Sequence, residues 1–142
     1  MASRRKGRIL AFQALYSWES NKVSVEELSK FAWLEEKKLE SLNEEMAVFS
    51  RLLIAGVIEN IKEIDGIIKN HLENWDIKRV NRVDLAILRM SVYSLKYQNE
   101  ISPTIIIDEA IGICREYGAE DSFKFINGVL DSIRRTLQEK KS

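Results

Sequence analysis

The chain has 142 residues, 45% hydrophobic and 31% charged, the length and balance of one globular domain able to bury a core, which argues against disorder. Its 22 basic and 22 acidic side chains cancel, yet Arg4, Arg5, Lys6 and Arg8 give the first ten residues four positive charges and no acid. No apolar run approaches the ~20 residues of a membrane span, no apolar segment follows the basic head as in a secretory signal, and the single cysteine, Cys114, excludes an internal disulfide and favours a reducing, cytoplasmic setting.

One proline and six glycines leave few breaks, so the pattern predicts long helices. The first runs from about Arg5 to Glu19. Ile9, Phe12 and Tyr16 fall on one side and Leu10, Ala14 and Trp18 on another, as in a helix shared between a core and a partner. Ser24 and Glu27 form a capping-box pattern ahead of a second helix through Leu28, Phe31, Ala32 and Glu35. A long third helix begins near Asn43. Met46, Phe49, Leu52, Leu53, Val57, Ile61, Ile64, Ile67 and Ile68 keep a period near ~3.6 residues. Gly66 is expected to kink or break it, and the stretch from Trp75 to Arg79 to join two halves, about 1–75 and about 76–142.

The fourth helix spans about Val80 to Tyr97 with two apolar stripes, which makes it the central one. Asp84 and Arg89 are expected at its margins. Ser102 is the expected N-cap of the next helix, with Pro103 at its first position and Gly118 at its end. Asp108 and Glu109 read as first-turn acids suited to the helix dipole. The last helix is predicted from Asp121, with Ile126, Val129, Leu130, Ile133 and Leu137 facing the core. The unbroken period argues for helix across Asn127-Gly128.

Candidate chemistry is sparse. There is no phosphate-cradling glycine loop, nucleophile elbow or paired metal-ligand spacing, so no catalytic residue, metal or cofactor is expected. His71 reads as a surface or boundary residue, and Cys114 as a small core residue. The basic head fits a polyanion contact, and a frayed, solvated terminus has the same composition. Asp121 and Phe125 lie one turn apart near the edge of the core stripe. Phe125 either packs sideways into the core or offers a ring for an unpaired base.

Three blocks resemble the NusB family of bacterial transcription antitermination factors. They are Arg4-Arg5-Lys6-Gly7-Arg8 with Ala11-Phe12-Gln13-Ala14-Leu15-Tyr16-Ser17-Trp18; Arg82-Val83-Asp84-Leu85-Ala86-Ile87-Leu88-Arg89; and Ile107-Asp108-Glu109-Ala110-Ile111 with Tyr117-Gly118-Ala119-Glu120-Asp121-Ser122 and Lys124-Phe125-Ile126-Asn127-Gly128-Val129-Leu130-Asp131. The resemblance implies an all-α fold of two packed helical subdomains. It implies binding to the boxA element of ribosomal RNA leaders together with the small-subunit ribosomal protein NusE, and loading onto RNA polymerase antitermination complexes. It maps RNA contacts to Arg4, Arg5, Lys6, Arg8, Tyr117, Asp121 and Phe125, and ribosomal-protein contacts to Tyr16 and Asp84. Gly7 departs from the pattern and is expected to weaken the start of the first helix. Asp84 stands where a glutamate is also used. Phe123 adds an aromatic at a variable position to which the resemblance gives no role. Two rival readings are the RNA-binding domain of a ribosomal RNA methyltransferase, disfavoured because the chain ends at Ser142, and a non-catalytic helical adaptor.

Overall fold

The computed structural model describes residues 2–21, 24, 26–27, 44–73 and 76–141. Among them are six α-helices and no strand: α1 (Ala2–Asn21), α2 (Glu44–Glu59), α3 (Ile61–Asn70), α4 (Arg82–Tyr97), α5 (Pro103–Tyr117) and α6 (Ser122–Lys141). They fall into two compact units, Met1–Glu59 and Asn60–Ser142. The expected helix through Leu28, Phe31, Ala32 and Glu35 lies outside the described residues, as do Asn43 and Trp75. Its cap is visible: Ser24 Oγ accepts the Glu27 N–H at 3.2 Å. No helix is long and apolar enough to cross a membrane among the described residues.

In the first unit α1 packs on α2. Ala11, Phe12, Ala14 and Leu15 are buried against a stripe that includes Met46, Ala47, Leu53, Ile54 and Val57. Leu52, expected in that stripe, is exposed. Gly7 does not weaken the start of α1 as its type suggests, and the helix runs unbroken from Ala2. The reason is steric. A Cβ on Gly7 would lie 2.9 Å from Phe49 Cδ2 and 3.3 Å from the Met46 carbonyl oxygen. Glycine is what lets α2 come this close, and the packing gained offsets its helix cost of roughly 1 kcal/mol.

The second unit is built around α4, which packs against α3, α5 and α6. Leu85, Ala86, Ile87, Leu88, Met90, Val92 and Leu95 are all buried, as two apolar stripes require. Asn81 caps α4 by accepting the Val83 N–H on Oδ1 at 2.8 Å. The break in the long third helix falls at Asn60 rather than Gly66, which sits inside α3 with open space about it. Tyr97 fixes that turn. Its hydroxyl lies 3.4 Å from Asn60 Oδ1 and also donates to the Glu63 carboxylate.

Asp84 and Arg89 are not at the margins of α4. They are 5% and 6% exposed. Arg89 is tolerated there because α3 supplies Asp65: Nε reaches Oδ1 at 2.9 Å and Nη2 reaches Oδ2 at 2.8 Å, a two-pronged pairing that suits a buried guanidinium. Ser102 does sit at the N-cap of α5 ahead of Pro103, but its side chain makes no capping hydrogen bond. Asp108 and Glu109 fall beyond the first turn of that helix, which begins at Pro103.

The Arg89 pairing carries a test. Asp65→Ala removes the carboxylate that pairs with a buried guanidinium and should cost about 3 kcal/mol of stability. Replacing both partners by apolar residues, Asp65→Leu with Arg89→Met, should recover most of that loss in urea unfolding followed by helical circular dichroism. Equal losses for the single and double variants would show that the pairing is not what stabilises the α3–α4 contact.

Candidate functional site

The C-terminal candidates gather where α5 ends and α6 begins. The Gly118 N–H closes the last turn of α5 on the Cys114 carbonyl at 2.7 Å. Its φ of −93° is open to any residue, so glycine is required by space. A Cβ there would stand 2.7 Å from the Cys114 oxygen and 3.1 Å from its Sγ. The chain then crosses from α5 to α6 in residues 118–121. Ser122 N–H bonds to the Ala119 carbonyl at 3.1 Å and Lys124 N–H to that of Asp121 at 3.3 Å. Ile126, Val129, Leu130 and Ile133 are buried and fix the rotation of α6 about its axis.

That rotation decides where the rings go. Phe125 is half-buried, one position from the core residue Ile126. It stands between two clefts. One, of about 530 Å³, is lined by Asp84, Asp121, Ser122 and Phe125 together with Arg79 and Asn81. The other, of about 360 Å³, is lined by Phe125 with His71, Leu72, Lys124, Gly128 and Ser132. Asp121 is exposed and Tyr117 is 40% exposed. Partial burial, with Glu116 alongside, raises the Tyr117 phenol above its ordinary value, so the ring is uncharged at neutral pH. His71 is a boundary residue. Its Nδ1 donates to the Ile67 carbonyl at 2.9 Å and its Nε2 lies 3.0 Å from Thr136 Oγ1, which ties the end of α3 to α6.

Asp84 is the unusual group of the first cleft. Its Oδ1 is buried with no hydrogen-bond partner. Burial holds the carboxyl above its ordinary range, and a hydrogen bond from Ser122 partly opposes this. Asp84 also occupies the first turn of α4, where the helix dipole favours negative charge. Asp84 thus lines the cleft as a largely buried carboxyl with one oxygen unsatisfied.

In the N-terminal unit the basic head divides. Lys6 is exposed, and Arg4 and Arg5 are half-buried. Arg8 is only 5% exposed, which the sequence did not indicate. The Cζ atoms of Arg4 and Arg8 each lie 5.3 Å from the centre of the Phe49 ring, so α2 supplies an aromatic that orders the head. Tyr16 is 40% exposed. Among the described residues no group of three or more His, Cys, Asp or Glu side chains is placed to hold a metal ion. Sequence reasoning missed Phe49 and Arg115, because each acts through a ring contact between different helices.

A family model, described as the NusB family, matches residues 5–135. The chain is 47% identical to the transcription antitermination protein NusB of Treponema pallidum (strain Nichols) over 133 residues, covering 94% of this chain and 93% of that protein. It is 49% identical to the protein of that name from Treponema denticola over 131 residues, covering 92% and 95%. Among solved structures it resembles T. maritima NusB with a TM-score of 0.83 at 34% identity, over 93% of this chain and 90% of the other. A crystal structure of antitermination factors NusB and NusE in complex with dsRNA is similar with a TM-score of 0.80 at 26% identity, over 96% and 98%.

The raised Asp84 carboxyl makes stability depend on pH. The folded protein holds this proton more tightly than the unfolded chain does. The contribution is therefore complete below about 3.9, the ordinary carboxyl value, and is lost as pH rises through the higher folded value. Asp84→Asn, always neutral, should be at least as stable as the native protein at neutral pH, and its advantage should vanish on acidification. Thermal unfolding across a pH series measures this. A variant that is weaker at neutral than at acid pH would mean the ionised carboxylate stabilises the fold.

Proposed function

The chain belongs to the NusB family, and on that premise we propose that it is a transcription antitermination factor binding boxA-type single-stranded RNA of ribosomal RNA leaders together with the ribosomal protein NusE. It acts without catalysis or cofactor, in the cytoplasm, as part of an RNA polymerase antitermination complex. The whole of 1–142 serves as one RNA-binding domain. The observation that carries the reading is Phe125: a ring held between two clefts beside core residues, in the same unit as exposed Asp121 and partly exposed Tyr117.

The division of labour follows from the chemistry. Tyr117 and Phe125 stack on unpaired bases, which offer a π-face whatever their sequence. Asp121, an acceptor only, takes hydrogen bonds from base amino groups or ribose hydroxyls. Arg4, Arg5 and Lys6 neutralise phosphates. Arg8 belongs to the same contact but works from beneath, holding Phe49 against the head. Tyr16, exposed on α1, and Asp84, with its unpartnered oxygen in the cleft, receive the ribosomal protein.

Binding should be salt-sensitive, log K falling with log salt by about 0.7 for each phosphate neutralised on a single strand. Replacing Arg4, Arg5 and Lys6 by alanine together should flatten that slope by about 2, and Phe125→Ala should weaken binding by roughly 1–3 kcal/mol. Fluorescence anisotropy with a boxA-type strand, a scrambled strand and a duplex, with and without NusE, reads these out. Because the similar solved complex holds dsRNA, the duplex arm matters: base stacking requires the single strand to bind more tightly. Equal binding to all three RNAs, or a Phe125→Ala variant that loses its fold, would defeat the assignment.

A further inference from the structure

Phe123 is the ring to which neither the core nor the proposed base contacts give a role. It lies in the first turn of α6, partly exposed. The Arg115 guanidinium, from the last turn of α5, sits over its face with Cζ 4.6 Å from the ring centre, and Lys124 Nζ lies 5.9 Å from the same centre. Both cations are exposed. Neither has an ion pair or a side-chain hydrogen bond among the described residues.

Four other cations of this unit are ion-paired. Arg89 is paired with Asp65, Lys96 with Glu63, and Arg134 and Arg135 with Asp131. The corner does hold acids, since Glu116, Glu120 and Asp121 are exposed close by in sequence. Arg115 and Lys124 are nevertheless left to the ring. A guanidinium lying on an aromatic face is attracted by the ring quadrupole and keeps its N–H fork free at the edge. Ordering the long side chain beforehand removes part of the entropy cost of gripping a ligand. A rigid, unpaired fork with a second cation beside it matches the oxygens of a phosphodiester.

We propose that Arg115, Phe123 and Lys124 form an accessory seat for the sugar–phosphate backbone of the bound RNA, at the α5–α6 corner that also carries Tyr117. The proposal rests on the RNA-binding reading above and lengthens the track that reading defines. Phe123 is a positioning residue in it; Arg115 and Lys124 touch the phosphates.

The test uses the full chain, a boxA-type RNA strand and a salt series. Arg115→Ala with Lys124→Ala should lower the slope of log K against log salt by about 1.4, that is about 0.7 for each phosphate no longer neutralised. Its affinity should fall severalfold at low salt and converge with the native protein at high salt. Phe123→Leu keeps both charges and removes the ring face. It should weaken binding severalfold with most of the slope intact, and Phe123→Tyr should restore it. All three positions are exposed or partly so, and circular dichroism checks that the helices persist. If Phe125→Ala weakens binding while the double variant keeps the native slope, the seat is wrong and the RNA reading stands. If the double variant loses NusE binding and keeps its RNA slope, the corner is a protein contact and the seat is again wrong. If the native protein fails to prefer the boxA-type strand over a scrambled one, both fall together.

Discussion

The C-terminal half of the candidate site depends on a contact that only glycine allows. Gly118 turns the chain so tightly against Cys114 that the position of a Cβ is already taken by a carbonyl oxygen. Because α5 ends there, residues 118–121 suffice as the connection and α6 begins at Ser122. Tyr117 at the end of α5, Asp121 in the connection, and Phe123 and Phe125 at the start of α6 are thereby brought to one corner. A wider loop would carry the same residues with more freedom, and the entropy of ordering them would fall on the binding step. The buried stripe from Ile126 to Ile133 then sets the angle at which each ring emerges.

Charge is handled in two ways. Where a cation is buried between helices it is paired, as Arg89 is with Asp65, because an uncompensated charge in low dielectric costs several kcal/mol. Cations also lie over aromatic rings: Arg4 and Arg8 over Phe49 at the basic head, and Arg115 over Phe123 at the α5–α6 corner. A ring orders a cation without cancelling its charge, as a carboxylate would. The field that attracts a polyanion survives while the side chain is held in place. Asp84 is the converse case, a carboxylate kept in a cleft with one oxygen unsatisfied.

Much of this is legible in the sequence. Apolar periodicity yields the all-α class, the central place of α4 and the helical reading of Asn127-Gly128. Resemblance yields the family. The departures have tertiary causes. Gly66 does not break its helix, since roughly 1 kcal/mol of propensity is less than the packing of Ile64 and Ile68 secures, and the break comes at Asn60. Asp84 and Arg89 read as marginal because a charge on a helix is normally solvated. Nothing near Arg89 in sequence announces Asp65, which lies 24 residues away. The need for Gly7 cannot be read without knowing that Phe49 lies against it. Side-chain pairing between helices is the information that a one-dimensional pattern lacks.

Cys114 gives the glycine contact a further meaning. The thiol is fully buried, and burial, with Asp84 nearby, pushes its pKa up to about 11. It is therefore inert to alkylating reagents while the fold is closed. Its Sγ also forms part of the wall against Gly118. Any excursion that lifts residues 118–121 away from α5 uncovers the only sulfhydryl in the chain. Nature has thus placed a chemical clock beneath the hinge, and the pace at which it is modified reports how often that bend comes undone.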